Sequence, residues 1–143
     1  MEVSSPPDVL AAIVAATKTA VQERAAAVPL RELEKLLGQR LPDGRGFVAE
    51  LRRADRYNVI AECKRRSPSK GILSQVYKPT DIAAGYARAG AAAISVLTEP
   101  AFFDGCLEHL EAVRKAVGVP VLRKDFIVAE YQLLEACVAG ADA

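Results

Sequence analysis

A chain of 143 residues with formal charge +1, 51% hydrophobic and 26% charged residues has a core to bury and no signature of disorder. The near-neutral balance gives no electrostatic reason to bind nucleic acid or an acidic surface, so no nucleic-acid partner is expected. The apolar stretch from Val9 to Ala16 breaks at Thr17 and Lys18, well short of the ~20 residues that span a bilayer. With Glu2 and Asp8 spoiling a basic leader, no membrane association and a cytoplasmic location are expected. Cys63, Cys106 and Cys137 are odd in number, which suits buried thiols in a reducing compartment.

Residues 1–57 read as a helical extension. Leu10, Ile13, Val14, Thr17 and Val21 form one helical stripe and Leu30, Leu33 and Leu37 another. Leu41 to Gly46 reads as a loop before a segment from Phe47 to Ala54. A different rhythm starts near residue 58, where the apolar Val59-Ile60-Ala61 runs into Glu62-Cys63-Lys64-Arg65-Arg66-Ser67-Pro68-Ser69-Lys70-Gly71. As a strand, its period of two puts Ile60, Glu62 and Lys64 on one face and Val59, Ala61 and Cys63 on the other. Thr80 or Asp81 is predicted to cap a helix bearing Ile82, Tyr86 and Ala89 that Gly90 ends. A second strand starts near 92 and ends in Leu97-Thr98-Glu99-Pro100. Cys106, Leu110, Val113 and Val117 then make a helical stripe stopped by Gly118. The third strand starts near 119, where Pro120 is tolerated at a strand's first residue, and it puts Leu122, Lys124 and Phe126 on one face. Leu134, Cys137 and Val138 mark a last helix closed by Gly140, and Ala141 to Ala143 approach a fourth strand.

Strand and helix therefore alternate three times over residues 58–143, and right-handed crossovers make the sheet parallel. Doubly wound sheets and (β/α)8 barrels both begin this way, but polar groups at the carboxyl end of every strand favour the barrel. No Gly-x-Gly-x-x-Gly or Gly-x-x-x-x-Gly-Lys loop supports a nucleotide site. A barrel takes about 250 residues, so only its first three βα units fit here.

Glu62 and Lys64 on one strand face read either as a structural ion pair or as a site, because burying two charges needs good pairing. His109, the only histidine, is predicted on a solvated helix face. Arg52, Arg53, Arg56, Arg65 and Arg66 interleave with Glu50, Asp55 and Glu62, which predicts a mixed surface, and Glu99 reads equally as a cap or a catalytic contact. No spacing of His, Cys and Asp suggests a metal, and no cofactor is expected.

Three motifs in order, Ile60 to Gly71, Ser95 to Glu99 with Phe103-Asp104-Gly105, and Pro120 to Ile127, closely resemble the indole-3-glycerol phosphate synthase family of tryptophan biosynthesis. The resemblance runs from about residue 8 to the end, and departures within the motifs are minor, such as Cys63 where valine or tyrosine is common. It implies an α/β (β/α)8 TIM barrel, here an amino-terminal helical extension and three βα units. It also implies a carboxy-lyase that closes and decarboxylates 1-(2-carboxyphenylamino)-1-deoxyribulose 5-phosphate. By that resemblance Lys124 is the general acid, Lys64 holds the anthranilate carboxylate, Glu62 orients the lysines, Ser67 binds substrate, and Phe103 and Phe126 wall the aromatic ring. The expected partner is a small phosphorylated substrate.

The family takes a second glutamate, an asparagine, an arginine and its phosphate site from strands four to eight. The chain by itself is therefore expected to be inactive until the carboxyl-terminal half of the barrel is supplied. The alternative is a non-catalytic half-barrel that self-associates through open sheet edges. A sugar-phosphate isomerase barrel fits the lysine-bearing strands poorly.

Overall fold

The computed structural model describes residues 8–38 and 43–143. Leu41 and Pro42 of the predicted loop lie outside the described residues. Helix α1 (Val9–Ala27) starts where the Asp8 carboxylate accepts the backbone N–H groups of Leu10 and Ala11. Its buried stripe is Ile13, Thr17 and Val21, narrower than predicted because Leu10 is exposed and Val14 only half-buried. Helix α2 (Leu30–Leu37) follows Pro29, and its Leu33 joins Val21 and Tyr131 in a small cluster. Helix α3 (Arg45–Leu51) begins two residues before Phe47. Asp43 explains the early start, since it accepts the Arg45 N–H and also pairs with that guanidinium.

Three strands form one parallel sheet in chain order: β1 (Ile60–Cys63), β4 (Ala93–Leu97) and β5 (Val121–Lys124). Between the first two lie a short hairpin, β2 (Arg66–Ser67) with β3 (Gly71–Ile72), and helix α4 (Pro79–Arg88). Helix α5 (Pro100–Phe103) is one turn, α6 (Leu107–Ala116) leads to β5, and α7 (Glu130–Val138) follows it. Each regular strand starts one or two residues later than predicted, although Val59 C=O already accepts from Ala92 N–H and Pro120 C=O from Ile94 N–H. Past α7, Asp142 N–H donates to Val121 C=O and Arg123 N–H to Ala143 C=O, so residues 141–143 run beside β5 as the predicted approach to another strand.

The main core lies between the sheet and its covering helices. Cys63, Ile94, Val96 and Val121 meet Ala83 of α4 and Leu110 and Val113 of α6, all essentially without solvent contact. Strand β4 is buried along its whole length, as expected of a central parallel strand. Two predicted helix faces shift. Helix α4 starts at Pro79 with Lys78 at the cap position, so Thr80 and Asp81 sit in the first turn rather than at the cap. Proline at the first helical position needs no capping partner for an N–H it lacks. Its buried positions are Pro79 and Ala83, whereas Tyr86 opens onto a groove along the free edge of β1. Helix α7 buries Tyr131, Gln132 and Glu135, while the predicted Leu134, Cys137 and Val138 are half-buried.

Gly105 sits where no side chain fits. A Cβ there would lie 2.4 Å from the Leu97 carbonyl oxygen and 2.8 Å from the Thr98 Cα. Gly118 has nothing within 4 Å of the equivalent point. In urea unfolding, Gly105→Ala is expected to lower stability by about 1–3 kcal/mol through forced backbone displacement, whereas Gly118→Ala stays within about 0.5 kcal/mol.

Candidate active site

Register decides which side chains meet. Glu62 pairs across to Ser95 and Ser95 to Leu122, and one layer further along Leu97 pairs with Lys124. Lys64 follows β1 directly, with its ammonium 2.8 Å from a Glu62 carboxylate oxygen. Glu62, Lys64, Leu97, Phe103, Lys124, Asp125 and Phe126 together line a cleft of about 110 Å³ at the carboxyl ends of the parallel strands. The Phe103 and Phe126 rings form one wall, with centroids 6.2 Å apart and planes inclined by 37°. Five of the six predicted site residues thus converge.

Ser67 lies outside that lining. It pairs with Gly71 in the β2–β3 hairpin, and its hydroxyl accepts the Lys70 N–H at 3.2 Å, closing the turn after β1. Arg65 and Arg66 both face Asp104, at 3.9 and 3.5 Å, which ties the β1 exit to the β4 exit. Lys124 is exposed and makes no ion pair among the described residues. With Glu62 committed to Lys64, its ammonium leaves the cleft able to receive an anion, and the aromatic wall suits a flat ring.

Glu99, read as either cap or contact, is a cap. At 1% exposure it accepts the N–H groups of Ala101, Phe102 and Phe103, so it fixes the turn that presents the Phe103 ring. The arginines of residues 52–56 form the expected mixed surface, with Arg53 on Asp55 and Arg56 on Glu50, although Glu62 pairs with Lys64 instead. His109 corrects its prediction. It is half-buried against Tyr77, edge to face with centroids 5.2 Å apart, because the loop before α4 folds over α6. Its Nδ1 is buried without a hydrogen-bond partner.

Sequence reasoning missed a second set behind the cleft. Arg123 is buried on the helix side of the same strand end, and the Asp125 carboxylate at the border of the cleft turns back to it; both bond to Thr98, and Glu135 links Arg123 to Arg24 of α1. For Arg123 the signal was available in parity, since it alternates with Leu122 and Lys124 in β5. Among the described residues, no group of three or more His, Cys, Asp or Glu is arranged to hold a metal, and no helix is long and apolar enough to cross a membrane.

Residues 10–143 match the family model of indole-3-glycerol phosphate synthase. The chain belongs to that family. Its fold is the TIM barrel, and the three parallel βα units seen here are part of one. Similar curated proteins carry the same name. One from Parafrankia sp. is 56% identical over 104 residues, covering 73% of this chain and 38% of the relative. One from Rhodopirellula baltica is 47% identical over 131 residues, covering 92% of this chain and 50% of the relative. One from Burkholderia multivorans is 47% identical over 139 residues, covering 95% of this chain and 52% of the relative. The chain spans about half, or less, of the length of these relatives.

Burial holds the His109 imidazole below its ordinary range, with Glu108 partly offsetting it and Arg65 adding a smaller downward push. Below about pH 6.5 the unfolded chain binds a proton that folded His109 refuses, so its contribution to stability falls as pH drops toward the lowered pKa. Replacing it by phenylalanine removes that loss. The urea midpoint of His109→Phe is expected to gain on the parent between about pH 7 and pH 5, with the midpoint difference read at each pH; an unchanged difference removes His109 from the acid response.

Proposed function

We propose that this chain supplies the first three strand ends of an indole-3-glycerol phosphate synthase active site. The observation that carries the reading is the convergence of Glu62, Lys64 and Lys124 with the paired Phe103 and Phe126 rings in one cleft. The substrate of the proposed reaction, 1-(2-carboxyphenylamino)-1-deoxyribulose 5-phosphate, brings a carboxylated aromatic ring, a ketone and a phosphate. Lys64 binds the carboxylate and the two phenyl rings flank the anthranilate ring. Lys124 protonates the ketone oxygen as the ring carbon attacks the carbonyl carbon, since that attack otherwise leaves an alkoxide. The carbon–carboxylate bond then breaks, carbon dioxide departing while the bonding electrons stay on the ring and restore its aromaticity, and the new hydroxyl leaves as water as the adjacent nitrogen-bearing carbon loses a proton to form the indole double bond. Glu62 orients Lys64 at 2.8 Å and balances the cationic cleft. Ser67 binds substrate through the loop after β1.

The phosphate site and the second glutamate belong, in this reading, to strands beyond these three, so the chain alone does not turn over. Its carboxyl-terminal half-barrel is the proposed partner, and the cytoplasm the proposed location. A non-catalytic, self-associating half-barrel is the second reading. Supporting it is the groove of about 490 Å³ along the free edge of β1, where Tyr57, Val59 and Tyr86 lie open.

Supplying the carboxyl-terminal half of a relative's barrel is expected to produce turnover, followed by the fluorescence of the indole product. In that assembly Lys124→Ala is expected to lower kcat by about 10²–10⁴ with little change in KM, while Lys64→Ala raises KM. Retention of kcat within about threefold in Lys124→Ala is the behaviour of a merely structural surface residue and ends the general-acid assignment. Turnover by the unassisted monomer overturns the need for a second half.

A further inference from the structure

The strand that carries Lys124 is charged on both faces. Leu122, Lys124 and Phe126 share the cleft side and Arg123 turns toward the covering helices by a period of two, while Asp125, in the bend just past β5, borders the cleft and turns its carboxylate back to Arg123. There the Arg123 and Asp125 side chains keep only 3% and 5% exposure. Arg123 Nη2 donates to Asp125 Oδ2 at 3.0 Å, and Arg123 Nε donates to the Thr98 hydroxyl at 3.1 Å. That hydroxyl donates onward to Asp125 Oδ2 at 2.6 Å, which closes a triangle. Arg123 Nη1 donates to the Gln132 carbonyl and to Glu135 Oε2, and Arg24 of α1 grips Glu135 with two bonds of 2.6 and 3.0 Å. Two cations and two carboxylates thus balance, with Arg24 alone reaching solvent to any extent.

Stability alone is a weak reason for such a set. Buried ion pairs are often matched by apolar side chains of similar volume, so the charges call for an explanation in geometry. Every contact of the Asp125 carboxylate ends beside Lys124. Its second oxygen, Oδ1, accepts the Phe126 N–H at 2.8 Å. Thr98, which holds Oδ2, also donates its own N–H to the Lys124 carbonyl at 3.0 Å. Beyond the carboxylate, the Phe126 carbonyl accepts from Gln132 Nε2 at 2.8 Å. The backbone is therefore fastened immediately after Lys124 and on both sides of the Phe126 side chain.

We infer that Asp125 is a positioning residue for ring closure, clamping the strand end so that the Lys124 ammonium and the Phe126 ring meet the substrate at a fixed angle. Thr98 and Arg123 hold its carboxylate, and Arg24 couples the amino-terminal helix to the set through Glu135. The inference rests on the proposed general-acid role of Lys124. Although Asp125 borders the cleft, its carboxylate oxygens are taken up by Arg123, Thr98 and the Phe126 N–H, so what is asked of it is geometry, where displacements of about 1 Å are enough to lose roughly 100-fold in rate.

The test uses the chain completed by a carboxyl-terminal half-barrel, with kcat, KM and thermal midpoint measured for each variant. Asp125→Ala is expected to lower kcat roughly 10- to 100-fold with KM within threefold. Because that variant also strands Arg123, a gentler pair accompanies it: Thr98→Val keeps the shape but loses the hydroxyl, and Thr98→Ser keeps the hydroxyl. Thr98→Val is expected to lose kcat and Thr98→Ser to retain it within threefold, at assay temperatures well below both midpoints. If Lys124→Ala abolishes turnover while Asp125→Ala and Thr98→Val both keep kcat within threefold, the positioning role is overturned and the general-acid reading stands. If Lys124→Ala itself turns over normally, the failure lies in that reading. Losses in Asp125→Ala and Thr98→Val that disappear on cooling below the unfolding transition mark a purely structural role and also overturn the inference.

Discussion

Everything at the cleft depends on strand parity in a parallel sheet of fixed register. Side chains alternate strictly between the two faces of a strand, and β4 is buried along its length, so its neighbours have one admissible pairing. Slipping β5 by a single residue would send Lys124 under the helices and bring Arg123 into the cleft. The pairings of Ser95 with Glu62 and with Leu122, and of Leu97 with Lys124, therefore specify chemistry as much as fold. Apolar burial on the helix side enforces them, because Cys63, Ile94, Val96 and Val121 must all face α4 and α6 together.

Alternation was the most legible part of the sequence, since it needs only local order. It gave Glu62 beside Lys64 and Lys124 beside Phe126 on shared faces, and the structure brings both pairs into one cleft. Helix interiors were read well where one apolar stripe faces one layer, as in α6, which buries Leu110 and Val113 with Val117 at its C-cap, while Cys106 at its N-cap is half-buried. They were read less well where a helix serves two surroundings. Tyr86 faces an open sheet edge, and Glu135 of α7 is buried because two arginines reach it. The burial of His109 was illegible for a similar reason, since Tyr77 comes from a different element and no local pattern announces the contact.

The amino-terminal helices are joined to the sheet by two kinds of contact. Apolar packing brings Val21 of α1, Leu33 of α2 and Tyr131 of α7 together, and the Tyr131 hydroxyl donates to the carbonyls of Arg24 and Val28. The charged contact is more directional. Arg24 is half-buried, and its hydrogen bond to Glu135 raises its pKa further above a range that already keeps it cationic. At the Glu135 carboxylate the amino-terminal helix and β5 thus share one acceptor, and neither is electrically independent of the other.

Glu99 does two jobs at once. Its carboxylate accepts three successive N–H groups of α5, and its carbonyl accepts the N–H of Gly105 at 2.9 Å. Residues 99–105 consequently form a loop that is closed at its own base, and one turn of helix too short to persist alone has its N–H groups capped by a single residue. The ring at position 103 is mounted on that loop rather than on the sheet. Such a mount can change what it presents without disturbing the strands beneath, provided a carboxylate stays at 99 and nothing larger than glycine enters at 105. The aromatic wall is in this sense an interchangeable fitting, and the shape of the cleft can drift while the scaffold stays still.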